Sequence, residues 1–286
     1  MEANPAAFWP GLWETLRAGG FNRLSLGLQS ADDGELKRLG RRHTAAQADR
    51  AVQEARRAGF SNVSVDLMLG IPGQTLESLD RSVRFCAGLG ASHVSAYLLK
   101  VEEGTPFAAR ERELFLPDEE EQRAFYLRAC EGLERAGYGQ YEISNFARPG
   151  RESRHNLRYW DCREYIGIGP SAHSFYQGRR LFYPRDFEMF LRGAPPCDDG
   201  PGGDWEEYLM LRLRLADGIR NRDFASRYGR DIPQGVFREA RRLERLGLTA
   251  CADGSVRLTR EGFLVSNEII CQLLLAAEPE YDAGET

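Results

Sequence analysis

Four short stretches of the chain alternate apolar and polar residues or form short apolar runs, and each predicts a β-strand. They cover residues 22–30, 62–69, 93–100 and 140–146. Between them, apolar residues recur every three to four positions, the spacing of amphipathic helices, over 44–58, 75–88 and 118–136. Strand and helix therefore take turns along the first half of the chain. This order predicts a parallel sheet, either open or closed into part of a barrel.

The second half of the chain has a different organisation. A further extended run at 164–175 is followed by a segment rich in Gly, Pro and Asp at 193–204, a composition typical of a linker. The sequence therefore predicts one domain over 1–192 and a second over 205–286. In the second domain, helical spacing predicts three helices at 205–216, 221–229 and 235–246. A hairpin-like stretch at 248–259 and a last helix that ends at about 276 follow them. Helices followed by a β-hairpin predict a winged-helix-like domain.

Small and polar residues of the first three predicted strands, together with one Met, fall on one face of each strand. They are Ser25, Gly27 and Gln29 in the first strand, Ser64, Asp66 and Met68 in the second, and His93, Ser95 and Tyr97 in the third. A parallel sheet with helices on both sides is apolar on both faces. A polar face instead predicts helices on the outside only, and an inner face that encloses a ligand or a water-filled cavity. Ligands of such folds bind near the carboxyl ends of the strands, where Gln29, Asp66 and Met68 lie.

Asp66 has two interpretations. It is either a structural carboxylate that accepts backbone N–H hydrogen bonds, or part of a polar ligand-binding surface together with Gln29 and a nearby cation. Because an unpaired buried carboxylate is costly, the binding interpretation is favoured. The segment LGRRHT at 39–44 supplies candidate cations, and the turn GIPGQT at 70–75 permits a close approach of backbone to a ligand.

Composition and charge exclude several classes of protein. The 286 residues are 42% hydrophobic and 28% charged, with a formal net charge of -5, which is typical of a globular protein and not of a polybasic nucleic-acid binder. No apolar run is long enough to span a bilayer and no secretory signal pattern is present, so we expect a cytoplasmic protein without a membrane span.

A DNA-binding regulator remains a distant alternative because the predicted helix 235–246 carries a basic stripe. Its arginines are Arg238, Arg241, Arg242 and Arg245. Glu239 and Glu244 dilute this charge, and basic residues on a helix often form a solvated face. We therefore expect no nucleic acid as a partner.

The cysteines do not form a metal-binding pattern. They are Cys86, Cys130, Cys162, Cys197, Cys251 and Cys271, with no CxxC or similar short spacing. Cys86 and Cys130 fall on the apolar stripes of two predicted helices, and a free cysteine packs like a small hydrophobe. We expect both thiols to lie in the core.

Seven motifs, taken in order, resemble one known family. They are EANP, RLSLGLQS, LKRLGRRHT, VSVDLMLGIPGQT, GQYEISNFARPG, RHNLRYW and YIGIGPSAHSF, and the match runs in the same order from residue 2 to at least residue 176. The resemblance is to the radical S-adenosylmethionine (radical SAM) family of oxygen-independent coproporphyrinogen III oxidase and the heme chaperone HemW. It implies an incomplete (β/α)6 partial barrel with a C-terminal helical, winged-helix-like domain.

Two functions follow from this resemblance. RHNLRYW and GIGPSAH favour a heme-binding chaperone that delivers heme to acceptor hemoproteins, with possible transient contact with membrane proteins. The alternative, for a full-length protein, is oxidative decarboxylation of a porphyrinogen. Matched by motif, Glu2, Gln29, Arg41 and Asp66 correspond to residues that contact S-adenosylmethionine in the family. The chemistry agrees, since carboxylates and an amide can hold hydroxyl and amino groups, and Arg can pair with a carboxylate.

The chain departs from the family in one respect. Family members carry a CxxxCxxC loop whose thiolates hold a 4Fe-4S cluster, and this sequence contains no such motif. The resemblance therefore indicates an N-terminally truncated member that lacks the first βα units and has an exposed sheet edge. We expect no radical chemistry from this chain alone.

Heme binding requires an accessible iron ligand, and imidazole is the usual one. All four histidines lie in the family-like segments, at His43, His93, His155 and His173. His155 is the first candidate because Tyr159 and Trp160 are near it and could stack on a porphyrin, and His173 is the second. The alternative for both is a structural, hydrogen-bonded histidine.

Overall fold

The structure is a computed structural model that describes residues 1–6, 9–105, 107–109 and 114–277. The chain divides into two compact units, Met1–Glu152 and a second unit from Ser153 onward. This division falls at a different point from the linker that the composition predicts at 193–204. Within the described ranges, no helix has the length and apolar character needed to cross a membrane.

The first unit is an α/β structure built on one six-stranded sheet. Its elements are β1 (Glu2–Ala3), α1 (Leu12–Ala18), β2 (Arg23–Gln29), α2 (Asp33–Arg38), α3 (Ala45–Arg57), β3 (Asn62–Leu69), α4 (Leu76–Gly88), β4 (His93–Leu98), α5 (Glu119–Arg135), β5 (Gly139–Gln140) and β6 (Asn145–Ala147). The strand order is β1-β2-β3-β4-β6-β5. The first four strands are parallel, as the alternation of strands and helices predicts.

The last two strands correct the expectation of a wholly parallel sheet. The predicted strand 140–146 is divided into β5 and β6 by a reversal in which the Tyr141 N–H donates to the Asn145 carbonyl at 3.1 Å. β6 consequently runs antiparallel to both β4 and β5. The sheet is therefore mixed.

The helices of the first unit begin and end at local signals in the sequence. Thr44, Thr75 and Asp118 cap α3, α4 and α5, and each forms a reciprocal capping box with the third residue of its helix. Gly59 and Gly90 follow α3 and α4 with φ of 93° and 67°, a conformation that only Gly adopts without strain. The predicted helices therefore match the observed ones closely.

The apolar face of the sheet forms the core of this unit. Its side chains are at most 2% exposed, and they are Leu24, Leu26, Leu28, Val63, Val65, Leu67, Leu69, Val94 and Ala96. Helices α3, α4 and α5 contact strands of the sheet. Cys86 of α4 and Cys130 of α5 are fully buried, which confirms that both thiols belong to the core.

The second unit contains two small antiparallel sheets. Its elements are α6 (Arg154–Trp160), β7 (His173–Tyr176), β8 (Arg179–Phe182), α7 (Phe187–Leu191), β9 (Cys197–Pro201), α8 (Trp205–Arg212), β10 (Ile219–Arg220), α9 (Asn221–Tyr228), α10 (Gln234–Glu244), β11 (Thr249–Ala252), β12 (Ser255–Leu258), α11 (Arg260–Leu264) and α12 (Ser266–Leu275). The sheet orders are β7-β8-β9 and β10-β12-β11. Strand β9 lies inside the segment that the composition predicts as a linker.

Two further predictions in this unit differ from the structure. The extended run predicted at 164–175 is interrupted by a turn, because Gly169 and Ser171 have φ of 120° and 63°, and only its last residues form β7. The predicted last helix is divided at Val265 into α11 and α12. The hairpin predicted at 248–259 is present as β11 and β12.

Candidate functional site

At the level of Ser64 and His93, the polar face of the first unit's sheet carries a buried chain of hydrogen bonds. The Ser64 hydroxyl is 2.8 Å from His93 Nδ1, and His93 Nε2 is 2.8 Å from the Tyr141 hydroxyl. Burial lowers the pKa of His93 to about 3, so its imidazole is neutral. Side chains, and not an open cavity, therefore occupy this level of the polar face.

Asp66 lies one level closer to the carboxyl ends of the strands and is partly exposed. Its carboxylate accepts a hydrogen bond from Ser25 Oγ at 3.2 Å and another from the Ser95 side chain. Burial raises the pKa of Asp66 above its ordinary value, and the negative charge of Glu2 raises it further, while Arg23 acts in the opposite sense. Asp66 and Glu2 are thus close enough to interact, and two serine hydroxyls supply the hydrogen bonds of Asp66.

Gln29, the last residue of β2, is strained and incompletely hydrogen-bonded. Its φ is 69°, in the left-handed region that few residues other than Gly adopt. The side chain is 7% exposed, and its Oε1 has no hydrogen-bond partner among the described residues. The Nε2 atom lies over Gly27, where an added Cβ would be only 2.9 Å from it. Backbone strain together with a buried acceptor that has no described partner makes Gln29 a candidate for ligand contact.

Arg41 lies in the loop between α2 and α3 and is exposed. Its guanidinium forms no hydrogen bond or ion pair with the part of the chain that the structure describes, and its backbone N–H donates to the Leu36 carbonyl at 2.9 Å. Two residues later, His43 Nε2 donates to the Leu28 carbonyl at 3.1 Å and fastens this loop to the end of β2. Glu2 and Asp66 thus lie close enough to interact, whereas Arg41 forms no hydrogen bond or ion pair with Glu2, Gln29 or Asp66.

These residues give the site a defined chemical preference. Glu2, Gln29 and Asp66 offer oxygen acceptors, which suit a ligand with hydroxyl and amino groups. The guanidinium of Arg41 pairs with no described residue and belongs to the loop that His43 fastens to the end of β2, and it suits a carboxylate or phosphate. The combination favours a ligand that carries both donor groups and an anionic group.

The described residues do not fit an iron-sulfur cluster. They contain no group of three or more His, Cys, Asp or Glu side chains that could hold a metal ion. Cys86 and Cys130 are buried on two different helices, and Cys162 is buried in the turn that follows α6. Burial raises the pKa of the Cys86 and Cys162 thiols, which disfavours the thiolate form that binds iron.

His155 is an exposed residue in the first turn of α6, in the second unit. Its Nε2 is 2.7 Å from the Tyr159 hydroxyl, and the two rings meet edge to face with centroids 4.9 Å apart. The ring of Tyr159 in turn packs against that of Tyr165, with the ring centroids 4.4 Å apart. Trp160 is in a different environment, because the Arg214 guanidinium lies 5.1 Å from its ring centre. The sequence indicated Tyr159 and Trp160 as neighbours, but it gave no signal for Tyr165.

His173, the first residue of β7, is also exposed. Its ring stacks on Phe182 of β8 with centroids 5.7 Å apart and an interplanar angle of 26°. Gly167 approaches the His173 backbone so closely that an added Cβ would be 2.2 Å from the His173 carbonyl oxygen. His173 therefore has one covered ring face, while His155 has a hydrogen bond to one of its ring nitrogens.

Comparisons with known proteins agree with this architecture. The profile of the Radical SAM superfamily matches residues 1–86, and that of the HemN C-terminal domain matches 204–265. The heme chaperone HemW of Bacillus subtilis is 36% identical over 280 residues, which cover 94% of this chain and 74% of that protein. HemW of Escherichia coli K12 is 35% identical over 287 residues, with coverage of 96% and 74%.

Two further similarities extend the comparison. The mitochondrial radical S-adenosyl methionine domain-containing protein 1 of Mus musculus is 43% identical over 295 residues and is covered to 67% of its length. The solved structure of coproporphyrinogen III oxidase (HemN) from Escherichia coli, a radical SAM enzyme, matches 96% of this chain and 68% of that one with a TM-score of 0.76. Its sequence identity is 19%, so this match shows the fold alone.

Proposed function

Because the chain belongs to the HemW family of radical SAM proteins, we propose that it binds heme and delivers it to acceptor hemoproteins. Curated heme chaperones from several bacteria support this proposal, since their similarity extends over most of the chain. The structural observation that carries it is an exposed histidine, His155, next to an aromatic cluster. A cytoplasmic location and transient contact with acceptors, including membrane hemoproteins, are part of the same proposal.

His155 is the proposed iron ligand. An imidazole at the surface can be reached by a porphyrin, and a hydrogen bond to one ring nitrogen fixes the orientation of a ligating histidine. Tyr159 makes such a bond at Nε2, so iron binds either at Nδ1 or at Nε2 after the hydroxyl turns away. His173 is the second candidate, with Phe182 as an apolar surface for the macrocycle.

A hemin titration tests the heme proposal. Wild type, His155→Ala and His173→Ala are titrated with hemin and the Soret band is followed, with circular dichroism as a control for folding. The proposal predicts a shifted Soret band in wild type and in His173→Ala, and its loss in His155→Ala. Equal shifts in all three proteins would discard the assignment of His155.

We also propose that the polar face of the first unit binds S-adenosylmethionine through Glu2, Gln29, Arg41 and Asp66. That molecule has the ribose hydroxyls and amino group that carboxylate and amide oxygens accept, and a carboxylate that a guanidinium binds. Three observations support the fit: the unpaired Oε1 of Gln29, the interacting pair of Glu2 and Asp66, and the exposed guanidinium of Arg41.

Calorimetric titration with S-adenosylmethionine tests this second proposal. Arg42, the exposed neighbour of Arg41, provides a control with the same charge. We expect wild type and Arg42→Ala to bind with similar Kd values, and Arg41→Ala to bind about tenfold more weakly, the loss of one charge-assisted hydrogen bond. Equal effects of the two substitutions would contradict the assignment of Arg41.

The described thiols do not fit a 4Fe-4S cluster, so the proposed heme delivery includes no step that uses one.

A further inference from the structure

We infer that Glu35 and His43 are positioning residues that hold Gln29 in its left-handed conformation by fixing the residues on either side of it. This inference rests on the proposed S-adenosylmethionine site, because it explains how Gln29 is presented to that ligand. Neither Glu35 nor His43 belongs to the four residues assigned to ligand contact. Both are almost fully buried, at 1% and 3% exposure.

Glu35 fixes the residue that follows Gln29. Its Oε2 accepts a hydrogen bond from Ser30 Oγ at 2.5 Å, and Ser30 is fully buried. The same hydroxyl accepts the Asp32 N–H at 2.9 Å, which sets the direction of the chain as it enters α2. Ser30 therefore cannot rotate freely, and the ψ angle of Gln29 is constrained from its carboxyl side.

Glu35 also joins the end of β2 to the turn that follows β3. Its Oε1 accepts from Ser78 Oγ at 2.5 Å, and its Oε2 accepts from Gln74 Nε2 at 3.2 Å. Gln74 Oε1 in turn accepts the Gly70 N–H at 2.7 Å. One carboxylate thus connects the carboxyl ends of two neighbouring strands, where Gln29 and Asp66 lie.

His43 fixes the residue that precedes Gln29. A carbonyl oxygen can only accept, so His43 Nε2 carries the proton and donates to the Leu28 carbonyl at 3.1 Å. Because this carbonyl belongs to the peptide group that Leu28 shares with Gln29, the bond constrains φ of Gln29. His43 also fastens the loop that carries Arg41 to the same strand end, so one histidine orients two proposed ligand contacts.

The register of the sheet agrees with a conformation imposed from outside the strand. The pairing of β2 with β3 is regular up to Leu26 and then shifts before Gln29 pairs with Leu67. A residue with φ of 69° would relax to an extended conformation unless surrounding contacts prevented it. Glu35 and His43 supply buried contacts on both sides.

A double-mutant cycle distinguishes positioning from general stabilisation. The Kd for S-adenosylmethionine is measured by calorimetry for wild type, Glu35→Ala, Gln29→Ala and the double variant. If Glu35 acts through Gln29, each single variant binds about tenfold more weakly and the double variant binds no more weakly than Gln29→Ala. His43→Phe also frees the loop that carries Arg41, so its double variant with Gln29→Ala is expected to bind more weakly than Gln29→Ala but less weakly than the product of the two single effects.

Two further variants complete the design. Glu35→Gln keeps an oxygen for Ser30, so its affinity should return to near the wild-type value. Tyr138→Phe removes a buried hydrogen bond to the Ala91 carbonyl, before β4 begins, and should lower stability without changing Kd. If Glu35→Ala does not fold, Ser30→Ala takes its place in the cycle.

The outcomes separate this inference from the proposal on which it depends. Absence of S-adenosylmethionine binding by wild type would refute both the ligand proposal and the role assigned to Glu35 and His43. Binding by wild type with independent effects that multiply in the double variants would overturn only the positioning role. An affinity loss in Glu35→Gln as large as in Glu35→Ala would overturn the role of the Ser30 contact.

Discussion

Replacing Asp66 with Asn is expected to have opposite effects on stability and on ligand binding. Burial is the largest cause of the raised pKa of Asp66, so the folded state disfavours its ionised form. Asn is neutral, has nearly the same shape, and can hydrogen-bond to the hydroxyls of Ser25 and Ser95. Asp66→Asn should therefore unfold less readily than wild type at pH 7, while it loses the charge that a ligand's donors would meet.

The sign and size of the two effects follow from proton linkage and hydrogen bonding. A carboxyl whose folded pKa is raised binds its proton more tightly in the folded state, so stability falls as pH rises from 3.8 to that raised value. Within that window the wild-type free energy of unfolding should change by up to about 1.4 kcal/mol per pH unit relative to Asp66→Asn. Loss of a hydrogen bond to a charged group costs about 1.5–3 kcal/mol, or about 10- to 150-fold in Kd.

Two measurements check this prediction. Urea unfolding of both proteins between pH 4 and pH 7 should show that the stability difference in favour of Asp66→Asn grows with pH through the window and then levels off. Calorimetry at pH 7 should show weaker binding of S-adenosylmethionine by the same variant. A variant that is less stable than wild type at pH 7, or that binds the ligand equally well, would refute the reasoning.

Three other substitutions, one of them with a matched control, test the hydrogen bonds, packing and capping on which the fold rests. Because the pKa of His93 is lowered to about 3, its contribution to stability is complete above pH 6.5 and is lost as the pH falls towards 3. The free energy of unfolding should fall by up to about 1.4 kcal/mol per pH unit in this window. His93→Gln should remove this acid sensitivity in unfolding curves. Gly235→Ala would place a Cβ 1.7 Å from the Ala276 carbonyl oxygen and should cost about 1–3 kcal/mol or more in thermal unfolding, whereas Gly88→Ala, with no atom within 4 Å, should be neutral or stabilising. Thr44→Ala removes the N-cap of α3 and should cost about 1 kcal/mol by urea unfolding; an unchanged midpoint would contradict the capping role.

Most of the first unit could be predicted from its sequence because its signals are local. The alternation of residues predicts β2, β3 and β4, and the capping residues Thr44 and Thr75 stand directly before α3 and α4. β5 and β6 escaped prediction as separate strands because they have two and three residues, too few to show a period of two. Their antiparallel direction depends on a tight reversal at Tyr141 that no alternation pattern records.

The run at 164–175 shows how a local pattern can predict the wrong structure. Alternating residues around Ile166 and Ile168 resemble a strand, but Gly169 and Ser171 adopt left-handed conformations that turn the chain. Both isoleucines are consequently exposed, at 67% and 83%. Only the isolated pairing of Tyr165 with Phe175 and the strand β7 remain of the predicted extended run.

The residues of the candidate ligand site follow from the sequence as a prediction, whereas the conformation of Gln29 does not. Strand alternation alone places Gln29 and Asp66 on the polar face near the carboxyl ends of β2 and β3. The strained φ of Gln29 and its unpaired Oε1 are results of the tertiary structure. Glu35 was missed for the same reason, because its partners Ser30, Gln74 and Ser78 come from separate segments and the sequence shows only an acidic residue between a predicted strand and a predicted helix.

Heme transfer tests the central proposal most directly. The chain is loaded with heme and mixed with increasing concentrations of an apo-b-type cytochrome, and transfer is followed by absorbance; apomyoglobin in a parallel reaction reports passive release. Delivery by a chaperone predicts a transfer rate that rises with the concentration of the cytochrome and exceeds the passive rate, and a loss of this transfer in His155→Ala. A rate equal to passive release at every concentration of the cytochrome would contradict the account.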